Sequence, residues 1–482
     1  MRISRHFRLG VEQEELDFVD INTARDTRLF LDPYLLAVNQ DPWSEDASGT
    51  VRNFFSFFLG LLYNGQTSEA RELFENLHEP NETCLGLSRG RPSGRGVGDD
   101  DAERIFDSLV TSQAAQTGLL QDLEDCRVFV RGIDKDKVSD MTTNIIRRHL
   151  IEYTVAQCNL WKIPLIPNSP SGFYWNSQSR AWETGFSDNL VVAGRRILLV
   201  PKTVVSHCKK YSPEKFHRFF LLRFLQHEHL RLGTNLVQTR VRRDGTKTRF
   251  VTKKSLIEDG GAALEKDYLA TFTQAHPEVF RDFRRSEATR ESSVPLQDLV
   301  SRDIETICQY LEDKLNSIEP GNNGATRYHR VVTSILDFLF YPRLSKPTVE
   351  LEIDEGRKRI DIAFDNGAVG GFFAALANQA QIPCRFIFAE CKNYGRDVAN
   401  PEVDQLAGRF SVNRGRFGLL VCRSVENRER LLARCRDTLV AGRGLILPLV
   451  DEDLINALRR RARGTNDPLE ETLTELHRHL AM

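Results

Sequence analysis

Asp361, Glu390 and Lys392, in the last third of the chain, are residue types whose spacing suits hydrolytic chemistry. Asp361 lies in Arg359-Ile360-Asp361-Ile362, and the other two in Phe388-Ala389-Glu390-Cys391-Lys392-Asn393. Alternate residues of a strand face the same way, so Glu390 and Lys392 share a face and Cys391 points to the other. A charged pair at the end of an apolar strand is costly to bury unless something compensates it, and a metal ion bound to two carboxylates does so. Asp361, Glu390 and the backbone carbonyl of Cys391 can hold Mg²⁺, with Mn²⁺ as a substitute, and leave positions for water and phosphate. Such an ion lowers the pKa of a bound water and offsets phosphate charge. A neighbouring Lys392 orients that water or stabilises the developing charge. Together these parts suit phosphodiester hydrolysis.

The elements that must position these residues follow from the pattern after residue 325. Arg327 to Phe340 reads as an apolar-faced helix, with Val331, Ile335, Leu336, Phe338 and Leu339 as core candidates. Val349 to Ile353 alternates as a strand, and Arg359 to Phe364 pairs with it across Glu355-Gly356. Phe386-Ile387-Phe388-Ala389 is an unbroken apolar run, as expected of a buried central strand. Val403 to Val412 reads as a helix and Phe417 to Cys422 as a further buried strand. Asp361 and Glu390 are 29 positions apart, long for neighbouring strands. Phe372 to Gln379 therefore reads as an inserted helix, a lid or a dimer contact.

Asp361 followed by Glu390-Cys391-Lys392, on a hairpin and then a strand, resembles the PD-(D/E)XK, or restriction-endonuclease-like, nuclease superfamily. The resemblance covers roughly 325–450, about a third of the chain. It includes Gln405, in Glu402-Val403-Asp404-Gln405-Leu406, because several branches of the superfamily carry a Gln in the helix after the E-x-K strand that reaches into the site. Ile360 stands before Asp361 where the motif's name has Pro. The resemblance implies an α/β domain with a mixed central sheet flanked by helices, and catalytic roles for Asp361, Glu390, Lys392 and Gln405. By analogy, it also implies a prokaryotic restriction or antiviral defence effector.

The whole chain has 482 residues, 66 Lys and Arg against 67 Asp and Glu, and 40% hydrophobic residues. That balance argues against a coat protein that is basic all over and against an acidic disordered chain. The length suggests about two to four domains. We expect a mixed α/β sensing or regulatory region over 1–210, a mostly helical region over 211–320, and the nuclease domain over 321–482. Leu29-Phe30-Leu31 reads as a short strand, Val51 to Tyr63 and Ala102 to Ser112 as helices, Thr142 to Cys158 as one helix, and Ile197 to Val200 as a strand. The nine cysteines form no C-x-x-C pair, so reduced, cytoplasmic thiols are expected. No apolar run approaches a membrane span.

Other groups are weaker candidates. Residues 239–254 read as a hairpin turning at Asp244-Gly245 and carrying Arg240, Arg242, Arg243, Lys247 and Arg249. It is either a phosphate-contacting ribbon or an ordinary charged edge hairpin. The Arg89 to Gly98 loop lacks the Gly-Lys-Ser/Thr of a P-loop and reads as a surface loop or a phosphate cradle. His227 and His229 are two apart on a helix and cannot easily share a metal. Asp337 and Glu352 read as ordinary polar positions, Asp365 as a strand-end cap and Cys391 as a packing residue.

The expected protein is thus a Mg²⁺-dependent endonuclease that cuts DNA as a dimer or higher homo-oligomer, with a defence-system partner protein and no membrane. The alternatives are a non-catalytic nucleic-acid-binding or assembly protein that keeps the fold, and an RNA-cleaving nuclease.

Overall fold

A computed structural model describes residues 1–87, 99–241, 243, 245–288, 294–353 and 357–482. The Arg89 to Gly98 loop, Arg242, Asp244 and the Glu355-Gly356 turn lie outside the described residues. The chain is mixed α/β, with helices throughout and several small sheets beside one larger one.

The elements used below are α1 (Pro42–Tyr63), α2 (Lys135–Ile145), α3 (Arg147–Trp161), α4 (Leu222–Leu232), β1 (Gln238–Val241), β2 (Lys247–Phe250), α5 (Ile304–Asn316), α6 (Ala325–Phe340), β3 (Leu344–Ile353), β4 (Lys358–Asn366), α7 (Gly371–Asn378), β5 (Phe386–Lys392), α8 (Asn400–Ala407), β6 (Phe417–Cys422), α9 (Arg428–Val440), β7 (Leu445–Val450), α10 (Asp451–Ala462) and α11 (Pro468–Ala481).

Strands β3 to β7 form a five-stranded sheet in chain order. The β3–β4 and β4–β5 pairs are antiparallel, and the β5–β6 and β6–β7 pairs are parallel. Parallel neighbours need crossover connections, and α8 and α9 supply them. Strand β5 is at the change of direction, and all but its two end residues are buried. Strand β6 is buried along its whole length. Such strands are covered on both faces, which is why they read as continuous apolar runs.

Helix α6 presents Tyr328, Val331, Val332, Ile335, Leu336 and Leu339 to this core, a stripe at helical spacing. The inserted segment folds as α7, but Phe372 and Phe373 are buried against Phe417, and Phe373 packs edge-on to Phe340 with ring centroids 5.0 Å apart. The helix is therefore part of its own domain's core and not a lid. Glu470 of α11 accepts a hydrogen bond from Phe372 N (2.9 Å) and holds its start in place.

Two apolar cores organise the molecule. One gathers residues from Ile3 to Val294, with no separate core for the 211–320 region among the described residues. The other runs from Leu296 to Leu480 and takes Ile307, Leu311 and Leu315 of α5. Apolar packing thus joins α5 to the C-terminal sheet, ahead of the expected boundary near 320. In the N-terminal part, Thr142 to Cys158 is two helices, α2 and α3, broken at Ile146. The Ile197 to Val200 segment is strand only up to Ile197, while α1 begins nine residues before the expected Val51.

A buried polar seam ties the two parts together. Lys202 is fully buried, and its Nζ donates to Asp337 Oδ2 (2.5 Å) and to the Leu16 carbonyl (2.9 Å). Asp17 accepts from Lys346 N (3.0 Å) and from the Tyr153 hydroxyl (2.6 Å). Lys346 Nζ donates to Asp41 Oδ1 (2.7 Å). Asp337 is thus not an ordinary polar position. Burial pushes its carboxyl up to about 6, with Lys202 opposing. Asp365 is likewise more than a strand-end cap, because burial pushes it up to about 7, against the pull of Lys346 and with Asp41 adding to it.

Two outcomes follow. Lys202→Met leaves Asp337 buried without its cation and is expected to cost about 3–5 kcal/mol, with Lys202→Met/Asp337→Leu recovering most of the loss. Chemical denaturation measures both. Asp365 binds its proton more tightly in the folded state, so its stabilising contribution is complete below its ordinary value of 3.8 and is lost as pH rises towards about 7. Asp365→Asn is expected to flatten that part of the stability–pH curve.

Candidate functional site

The register between β4 and β5 pairs Ile362 with Ala389, which sets Asp361 opposite Glu390. Residues opposite each other on adjacent strands point to the same face, so the two carboxylates and Lys392 share one side of the sheet. Asp361 Oδ2 accepts from Cys391 N (3.1 Å), which locks its side chain across the strand pair.

Glu390 is completely buried, and two cations compensate its charge. Lys392 Nζ donates to Glu390 Oε1 (2.7 Å). Arg409, in the turn after α8, brings its Nη1 against Glu390 Oε2, an oxygen that makes no well-directed hydrogen bond. Burial lowers the Arg409 pKa and nearby Asp361 raises it, with burial the stronger. Arg409 was not singled out by motif or spacing. Its only local signal is an Arg just beyond a helix that packs on the sheet.

His329 is the second missed residue. It lies on the face of α6 that meets the end of β5, and its Nε2 donates to the Cys391 carbonyl (3.0 Å) and stands 4.0 Å from Asp361 Oδ2. The carbonyl expected among the metal donors is therefore already within reach of an imidazole. The Cys391 side chain is buried, and burial raises its thiol pKa well above the ordinary value. Gln405 is on α8 but exposed, and among the described residues no hydrogen bond joins it to Asp361 or Glu390.

Among the described residues, no group of three or more His, Cys, Asp and Glu side chains is placed to hold a metal ion. The donor set at the β4–β5 pair is smaller in side chains: the Asp361 and Glu390 carboxylates with the Cys391 carbonyl, all hard oxygens. That donor chemistry suits Mg²⁺ or Mn²⁺, which keeps several waters when bound by one or two carboxylates. Among the described residues Glu390 Oε2 makes no hydrogen bond but faces Arg409, so such an ion would share that oxygen with the guanidinium.

Strands β1 and β2 form the expected hairpin, with Val241 paired to Lys247. Arg240, Arg243, Lys247 and Arg249 are exposed on it. It adjoins the first core through Leu236 and Val251, whereas Asp361 and Glu390 belong to strands of the second. His229 Nδ1 pairs with the Thr234 hydroxyl (2.8 Å).

Residues 8–212 match the model of a family described as a domain of unknown function, DUF8370. Neither the curated proteins nor the solved structures contain a match to the chain. The matched segment ends at Ser212, whose side chain caps the helix that opens the next region. It does not include the carboxylate site. No helix among the described residues is long and apolar enough to cross a membrane.

Arg409→Met removes one of the two cations from a buried carboxylate, and a loss of about 3 kcal/mol in unfolding free energy is expected. Denaturant titration with and without Mn²⁺ checks it. Mn²⁺ is expected to restore more stability to the variant than it adds to the unaltered chain.

Proposed function

We propose that the chain is a divalent-cation-dependent endonuclease that hydrolyses DNA phosphodiester bonds, with a restriction-endonuclease-like domain built on the five-stranded sheet. The observation that carries this reading is the pairing of Asp361 with Glu390 at the point where antiparallel strands give way to parallel ones, with Lys392 bonded to Glu390. The order α6, β3, β4, β5, α8 and β6, with α7 inserted between β4 and β5, supports it as well.

Asp361, Glu390 and the Cys391 carbonyl would hold Mg²⁺ or Mn²⁺. When bound, the ion supplies an acidified water and charge compensation for the phosphate. The chain's own groups do the rest. Lys392 Nζ shares the face of both carboxylates and stabilises negative charge developing on the phosphate. His329 donates to the Cys391 carbonyl and so orients the end of β5. Arg409 sets positive charge against buried Glu390 and adds a second positive group beside the phosphate path. Gln405 would join the site only through a movement of its exposed side chain.

A single centre of this kind cuts one strand, so cleavage of a duplex calls for two copies related by symmetry. The resemblance to restriction nucleases suggests a role in antiviral defence, with the N-terminal region sensing the invader or a partner protein.

The test is incubation of supercoiled plasmid with the full chain in Mg²⁺ and in EDTA, alongside a structured RNA. We expect metal-dependent nicking of DNA, and loss of at least a hundredfold in rate, about 3 kcal/mol, for Asp361→Ala, Glu390→Ala or Lys392→Ala. Wild-type cutting by Glu390→Ala would overturn the site. Cleavage of RNA alone would reassign the substrate.

A further inference from the structure

Phe219 is anomalous among its neighbours. The His217–Leu221 segment forms a single π-helical turn immediately before α4, a distortion often found at functional sites. Phe216, just before it, is fully buried, and Phe220 packs on Phe283 with ring centroids 5.2 Å apart. Phe219 points outward and is 42% exposed.

Three cations lie over that partly exposed ring. Lys253 Nζ lies 5.1 Å from its centroid, and the guanidinium carbons of Arg218 and Arg223 lie 5.7 and 5.8 Å away. Lys253 is held in place by a hydrogen bond from Nζ to the Arg218 carbonyl (2.5 Å). The carboxylates on the same elements are turned to other partners, Glu228 to Arg231 and Glu258 to Lys254. Three like charges gathered on one ring repel one another, and the Lys253 pKa is lowered by burial and then by Arg223 and Arg218. An anion laid across the ring would relieve that repulsion.

The basic hairpin extends the same surface. Gln226 of α4 donates to the Val251 carbonyl just after β2 (2.5 Å), so helix and hairpin are fastened together. Arg240 and Arg249 are exposed on that hairpin. A partly exposed ring with three cations over it, continued by a basic ribbon, offers the aromatic and cationic groups that stack a base and contact its phosphates. A base in a duplex has its faces covered by its neighbours, so only an unpaired base can use the ring.

We infer that Phe219, with Arg218, Arg223 and Lys253, is a stacking platform for single-stranded DNA, separate from the carboxylate site and continued by the basic hairpin. The inference rests on the nucleic-acid reading given above, and it names the form of strand that the N-terminal part engages.

The experiment is fluorescence anisotropy with the full chain in EDTA, using a labelled oligothymidylate and a duplex of equal length. We expect tighter, salt-dependent binding of the single strand. Phe219→Ala is expected to weaken it about five- to a hundredfold without changing its salt dependence, and Phe219→Trp to retain it. Arg218→Ala/Arg223→Ala is expected to reduce the steepness of the log–log salt plot by about 1.4. Circular dichroism confirms folding, and Phe219→Trp keeps the test informative if the alanine variant unfolds.

Unchanged affinity in folded Phe219→Ala, loss of binding in folded Phe219→Trp, preference for the duplex, or binding of anionic phospholipid vesicles in place of the oligonucleotide would each overturn the inference. Plasmid nicking by a chain whose Phe219 is dispensable for binding would defeat the platform alone. Phe219-dependent binding by a chain that nicks nothing would defeat the nuclease reading alone.

Discussion

A carboxylate buried at the inner end of a central strand needs positive charge within contact distance. Glu390 is in this position on β5, and much of the C-terminal domain is arranged around that need. Lys392 meets it from two residues along the same strand, and Arg409 from the turn that follows the next helix. The sheet contributes Asp361 from the opposite strand, and α6 contributes His329 from below. Removing either cation would leave a charge that the surrounding apolar strands cannot solvate. The same compensation that stabilises the fold therefore gathers two carboxylates, an ammonium, a guanidinium and an imidazole at one end of one strand pair.

The seam between the N-terminal part and the sheet domain obeys the same constraint. Lys202 and Asp337 are 135 positions apart and meet with almost no solvent between them. Asp17 is bonded to the β3 backbone at Lys346, whose own side chain reaches Asp41 near the start of α1. Such pairs contribute little net stability relative to apolar packing, but they are specific, because a small misalignment leaves several charges unsatisfied. They make the position of one part dependent on the other. A sheet domain fixed to the N-terminal part through buried ion pairs has a direct route by which changes in the first 212 residues reach β3 and α6.

Parts of this architecture could be read directly from the chain. Phe386-Ile387-Phe388-Ala389 and Phe417 to Cys422 were recognisable as central strands because burial on both faces demands uninterrupted apolar side chains. That Glu390 and Lys392 share a face was readable because alternation along a strand is a local rule. Other readings failed where a distant partner decided the outcome. Thr142 to Cys158 has helical periodicity throughout, yet the helix breaks at Ile146, next to Arg147, whose guanidinium is buried in an ion pair with Glu82. The length of the insertion before β5 suggests a lid or a dimer contact, but its phenylalanines pack on Phe340 and Phe417. Gln405 carries the motif's residue type on the expected helix, and its side chain faces solvent.

The sequence alone determined the central strands of the C-terminal sheet and that Glu390 and Lys392 share one face, while the β4–β5 register brought Asp361 to it. Pleat and helix periodicity are set by neighbours a few residues away, so a linear pattern contains them. Only the tertiary structure decided what compensates each buried charge: Arg409 for Glu390, Lys202 for Asp337, and His329 against the Cys391 carbonyl. Those partners come from 19, 135 and 62 positions away. No local rule selects them, because the energy that brings them together is the cost of leaving a charge or carbonyl unpaired inside a folded core.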